Sequence, residues 1–149
     1  MKKQLRVSDF IIDGKPTALP IIDKIVQYHL NPINRINLYF TEHIYPSLKS
    51  GFRTFAWEKS KQRSGGSQHC FGDMGNGVID PVELGAVDWT CDNFNKFKLQ
   101  LLDVLIKDTK YTRFCIYNGI IHADYKTTST GERELFEMKN GKWEFIKNI

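Results

Sequence analysis

The 149-residue chain is short of the features that would place it in a specialised class. It has three cysteines, Cys70, Cys91 and Cys115. An odd, sparse set cannot build a disulfide framework, so free thiols in a reducing compartment are expected. No run approaches 18 apolar residues, so no membrane-spanning helix is expected. The opening "MKKQLRVSDFIIDG" breaks its apolar run at Ser8, Asp9 and Asp13. It does not read as an export signal, and the chain is expected to be cytoplasmic as synthesised. Repeats, low-complexity tracts and linkers are missing, which predicts one domain over residues 1–149 with one core. A net charge of +4 is weak. Its clusters, Lys2, Lys3 and Arg6, then Lys59, Lys61 and Arg63, read as solvated surface. Without a basic stripe and interleaved aromatics, nucleic acid is not an expected partner.

What is present predicts an α+β fold, a small antiparallel sheet against two or three helices. Pro20 opens a helix whose apolar face is Ile22, Ile25, Val26, His29 and Ile33, with Pro32 ending or kinking it. His29 on that face reads as a packed, hydrogen-bonded core residue. "IYPSLKSGFRTF" is extended up to a turn at Gly51, and residues 54–60 form a short helix. A long glycine-rich loop follows, with a tight turn at Asn76-Gly77. "GAVDWTC" is a short buried strand. Asp92 or Asn93 caps a helix striped by Phe94, Phe97, Leu101 and Leu105. "RFCIYNGIIHADY" makes two strands around Asn118-Gly119. Asn140-Gly141 closes a hairpin that pairs Met138 with Trp143 and Phe136 with Phe145 on one buried side.

Chemistry concentrates in the histidines. His43 has no evident partner. His69 lies in a Ser-Gln-His turn and His122 in an extended "IIHADY". A carboxylate between them would complete a three-ligand zinc site with an open fourth position, the arrangement of catalytic zinc. Asp73, Asp80 and Glu83 on the loop and Asp88 on the strand are the candidates. Asp88 is preferred, because a strand holds a ligand more firmly than a loop. Cys70 and Cys91 lie close by but read as small buried residues, and Cys115 as core.

"SGFRTF", "GGSQH", "GAVDW" and "IIHADY", in that order over residues 44–125, resemble the zinc-dependent D-alanyl-D-alanine carboxypeptidase and L-alanyl-D-glutamate endopeptidase family. That family includes phage endolysins and vancomycin-resistance dipeptidases. The resemblance implies a zinc-peptidase core like that of hedgehog signalling domains. It implies zinc ligands His69, Asp88 and His122, a substrate-holding Arg53, and Ser67 standing behind the ligands without binding the ion. It also implies a peptidoglycan stem peptide as substrate, reached after phage-assisted release or as a virion component.

Two departures stand out. About a dozen extra residues, roughly Phe71 to Glu83, separate His69 from Asp88, and "GNGVID" within them makes Asp80 the alternative ligand. The glycines at 65, 66, 72, 75 and 77 suggest that the long loop as a whole is a wall or lid. The family also places a glutamate base just before the last histidine, but Phe114 to Ile121 hold no carboxylate. Tyr117 stands near that place. Asp124 on the same strand face as His122 is the candidate base, with Glu83 another. The competing expectation is a zinc-containing wall-binding or virion domain without catalysis.

Overall fold

The computed structural model describes residues 2–11, 17–48, 50–65 and 67–149; Gly66 lies outside them. Six strands form one sheet: β1 (Ile44–Pro46), β2 (Ala86–Cys91), β3 (Arg113–Ile116), β4 (Ile121–Asp124), β5 (Glu134–Lys139) and β6 (Lys142–Asn148), in the order β1-β2-β4-β3-β5-β6. The helices are α1 (Leu19–Lys24), α2 (Asn31–Asn37), α3 (Phe55–Ser60) and α4 (Phe94–Asp108). The class is α+β, as expected, but the sheet is mixed. β4 folds back on β3 through the Asn118-Gly119 turn. The chain then crosses the end of β3 and returns as β5, parallel to β3, with Arg113 opposite Glu134.

Strand alternation gives the sheet two different faces. Val87, Trp89, Cys91, Phe114, Ile121, Ala123 and Leu135 join one core with Ile21, Ile25, Ile33, Ile36, Leu101 and Leu105 of the helical layer. Asp88, Arg113, Cys115, His122 and Asp124 point the other way. Cys115 is buried as expected, yet it sits on this second face as the cross-strand partner of His122.

Pro32 does not end its helix. The chain passes from α1 through a π-helical turn, Ile25–Leu30, into α2. Proline offers no N–H to the carbonyl four residues back and crowds it. That carbonyl, of Tyr28, accepts instead from the Tyr125 hydroxyl at 2.7 Å. His29 is fully buried in the same segment. Its Nε2 donates to the Leu84 carbonyl at 2.8 Å, so its Nδ1 accepts from the Tyr111 hydroxyl at 2.7 Å. It is the satisfied core histidine that the sequence predicts.

Elsewhere the local expectations divide. Thr54 caps α3 by accepting from the Trp57 N–H at 2.9 Å. Asn93 precedes α4 in a left-handed conformation and its side chain caps nothing; Asp92 accepts from the Tyr45 hydroxyl instead. The C-terminal hairpin has the expected register. Its aromatic side is not buried, since Phe145 is 51% exposed. Residues 71–83 fold as a small hairpin, with Met74 N–H bonded to the Val78 carbonyl at 2.9 Å. Lys24 clamps its base, donating to the Phe71 carbonyl at 2.7 Å and the Asp80 carbonyl at 2.5 Å. Gly85, at φ +94°, ends the loop where a Cβ would collide with the buried Phe71 ring.

Candidate metal centre

The centre is built on the second face of the sheet. Asp88 on β2 and His122 on β4 are direct cross-strand partners. The backbone therefore brings their side chains together, and His122 Nδ1 lies 2.9 Å from Asp88 Oδ1. The Asp88 N–H is itself fixed by the Ser50 hydroxyl at 2.6 Å.

His69 arrives from above on a short 3₁₀ turn, Gln68–Cys70. Ser67 opens that turn, its hydroxyl accepting from the His69 N–H at 3.2 Å. The His69 carbonyl accepts from the Arg53 N–H at 2.9 Å. Held at both backbone ends, His69 places Nε2 3.5 Å from Asp88 Oδ2, and its ring meets that of His122 edge-on at 5.3 Å.

One donor atom from each of His69, Asp88 and His122 lies within 4.8 Å of the others, so the group can hold a metal ion. The donor chemistry fits zinc: two imidazoles and a carboxylate, the set of an open tetrahedral site. Bonds of about 2.0 Å to a tetrahedral ion set its donors roughly 3.3 Å apart. The two rings approach opposite oxygens of Asp88, His122 Nδ1 at 2.9 Å from Oδ1 and His69 Nε2 at 3.5 Å from Oδ2, each near that spacing.

The electrostatics suit a cation. Burial pushes the His69 ring down to about 4, so it is neutral at pH 7. Burial acts on His122 in the same direction. Hydrogen bonds to Asp124 and Asp88 outweigh it and hold that ring up at about 8. Burial raises the Asp88 carboxyl, but the bond from His122 and the charges of His69, His122 and Arg53 bring it below its usual range. An ion bound here meets an ionised carboxylate and displaces one imidazole proton.

The donors open onto a cleft of about 540 Å³, whose lining includes Arg53, Arg63, Arg113, Tyr117 and Trp143. Arg53 pairs with Glu58 at 3.2 Å, and Arg63 approaches the other oxygen of Glu58 at 3.8 Å. Both guanidiniums lie over the Trp57 ring, at 5.4 and 5.3 Å from its centroid. Tyr117 accepts from the Trp143 indole N–H at 2.5 Å, which leaves its own O–H free to donate.

The structure thus brings together His69, Asp88, His122, Arg53, Ser67 and Tyr117. It does not bring Asp124 into the cleft, which corrects the expectation of a base there. Asp124 is wholly buried behind the His122 ring. Its oxygens accept from His122 Nε2 at 2.8 Å, Arg113 Nη2 at 2.6 Å, Arg113 Nε at 2.9 Å and the Lys126 N–H at 3.0 Å. A carboxylate has about four lone-pair sites, so none is left for a water proton. The bonds from His122 and Arg113 hold it well below the usual carboxylate range despite its burial.

Asp80 and Glu83 line a separate cavity beside the loop. Glu83 accepts from Gln68 Nε2 at 2.9 Å. Of the long glycine-rich loop, Ser67, Gln68 and His69 line the metal cleft, whereas none of residues 71–83 does. Among the described residues, Asp88 is the one carboxylate that lines it. Glu58, Arg113 and Trp143 are site residues that sequence reasoning missed. Arg113 had a signal, since a turn at Asn118-Gly119 sets 113 opposite 124. Trp143 had none, because its place depends on the parallel crossing. No helix among the described residues is long and apolar enough to cross a membrane. No family model, curated protein or solved structure matches the chain.

Proposed function

We propose that this chain is a zinc peptidase acting on the stem peptides of peptidoglycan, with a core like that of the D-alanyl-D-alanine carboxypeptidases. One observation carries the reading: two imidazoles and a carboxylate converge on one point that opens into an arginine-lined cleft. Structural zinc sites are closed by four protein ligands, whereas three ligands leave room for water or substrate.

His69, Asp88 and His122 would hold the ion, which supplies Lewis acidity and an acidified water when bound. The chain's own residues do the rest. Arg53, anchored by Glu58 and Trp57, offers guanidinium donors to a substrate carboxylate or to a developing oxyanion. Tyr117 has a free O–H, and burial raises its pKa, so it stays a phenol at neutral pH and donates a hydrogen bond to a substrate oxygen. The aromatic side of the β5–β6 hairpin bounds the cleft through Trp143.

A second reading is a zinc-containing domain that binds cell wall, or forms part of a virion, without cleaving. It is favoured by a cleft in which Asp88 is the only carboxylate among the described residues. Digestion of purified peptidoglycan with and without a chelator, followed by mass spectrometry, separates the two. Chelator-sensitive release of stem-peptide fragments establishes the peptidase, and their masses identify the bond. A zinc-loaded protein that releases nothing but co-sediments with the wall establishes the binding domain.

A further inference from the structure

His122 must meet two conditions before it can hold a metal ion. Its ring must be neutral with the lone pair on the correct nitrogen, and the ring plane must not turn. Nδ1 faces Asp88 at 2.9 Å, and Nε2 faces Asp124 at 2.8 Å. An ionised carboxylate only accepts hydrogen bonds. In the metal-free ring each nitrogen therefore donates to a carboxylate; an ion taken at Nδ1 beside Asp88 displaces that proton and leaves Nε2–H donating to Asp124.

Asp124 is itself immobilised. Arg113 grips it with two parallel hydrogen bonds, at 2.9 and 2.6 Å. The Arg113 guanidinium lies 4.8 Å from the Trp143 ring centroid, and that ring packs edge-on against His122 at 5.1 Å. Arg113, Asp124 and His122 all stand on strands, Arg113 and Asp124 as cross-strand partners. On the other side of Asp124 the partner is Ala86, whose small side chain leaves space for the pair.

We propose that the Asp124–Arg113 pair is a positioning device: it fixes His122 as the Nε2–H tautomer and aims Nδ1 at the metal. This rests on the metal-site reading above. A carboxylate behind a ligating histidine strengthens the ligand and holds its orientation. It also explains why an acid two residues after His122 is buried and saturated with hydrogen bonds rather than turned into the cleft.

Zinc affinity of the full chain tests the pair, with Asp124→Asn and Arg113→Gln compared to wild type. Far-ultraviolet circular dichroism checks folding. Long-range ¹H–¹⁵N NMR of the zinc-loaded wild type reports which His122 nitrogen carries the proton. The expected result is a proton on Nε2, a zinc affinity about 10 to 100-fold weaker in Asp124→Asn, and a smaller loss in Arg113→Gln. The visible spectrum of the cobalt-substituted Asp124→Asn variant should also shift, because the ligand field changes when the ring turns. A zinc-loaded wild type with the proton on Nδ1 overturns the proposal without any variant. So do folded variants with wild-type affinity and an unchanged cobalt spectrum, and these leave the metal site standing. If Asp124→Asn does not fold, Arg113→Gln decides by the same criterion. A wild type that takes up no zinc overturns the metal reading itself, and the positioning device with it.

Discussion

Asp88 and His122 face each other across β2 and β4, and their side chains meet at 2.9 Å because the strand register leaves them no other place. Asp88→Ala should therefore abolish zinc binding, whereas Asp80→Ala should leave it intact. The Asp80 carboxylate is occupied by the Val82 N–H at 2.9 Å, in a different cavity. Metal content of the purified variants by mass spectrometry checks both. Zinc retained in Asp88→Ala and lost in Asp80→Ala would reverse the ligand assignment.

Arg53 has two duties that one substitution would confuse. Arg53→Ala should cut peptidoglycan turnover strongly with zinc still bound. It should also destabilise the fold by about 3 kcal/mol, because Glu58, 1% exposed, loses its close partner. The double variant Arg53→Met, Glu58→Met should recover most of the stability and none of the turnover. Urea unfolding and the digestion assay, run on both, separate the roles.

His29 makes stability depend on pH. Burial lowers its pKa to about 4 from the 6.5 of an exposed ring, with the bond to Leu84 only partly opposing this. The unfolded chain therefore binds the extra proton first as pH falls. The His29 contribution should be full above pH 6.5 and decline below it by about 1.4 kcal/mol per pH unit, until the folded ring titrates near 4. His69, also held near 4, steepens the total over the same window, and the difference between wild type and variant isolates His29. Urea unfolding of the metal-free protein from pH 8 to pH 4 gives the slope. His29→Gln should be less stable at neutral pH and should show a shallower decline. An equal slope in the variant would assign the dependence to other groups.

Lys24 should keep the inserted loop shut. Its ammonium joins the Phe71 and Asp80 carbonyls, and Lys24→Met leaves both without that donor. A loss of about 1 to 3 kcal/mol is expected. Faster proteolytic nicking between Gly72 and Asp80 should accompany it. Zinc affinity should be unchanged, since the loop does not line the cleft. A large loss of affinity would mean that the loop supports His69.

Local chemistry made much of this legible in the sequence. The Asn140-Gly141 turn set the register of β5 and β6 correctly, because a two-residue loop permits only one pairing. His69, Asp88 and His122 were named in order, and the structure brings them within reach of one ion. Asp124 was placed on the correct strand face by period-two geometry, but expected in the cleft, whereas it is buried outside it. Its hydrogen-bond partner Arg113 lies on another strand, and the crowding of its oxygens is a tertiary fact. Asp92 or Asn93 was expected to cap α4; Asn93 takes a left-handed backbone with no side-chain cap bond, and Asp92 accepts from Tyr45 instead. The burial expected for the hairpin's aromatic side failed for a similar reason. Alternation tells which residues share a face, but not whether another layer covers it.

The three donors come from positions 69, 88 and 122, on a turn, an inner strand and that strand's neighbour. An unfolded chain does not hold them within reach of one ion, so an ion gripped by all three is gripped by the native state alone. The thermal midpoint then follows free metal concentration. Each tenfold excess over Kd adds about 1.4 kcal/mol, and a chelator acts as a denaturant that never touches the backbone.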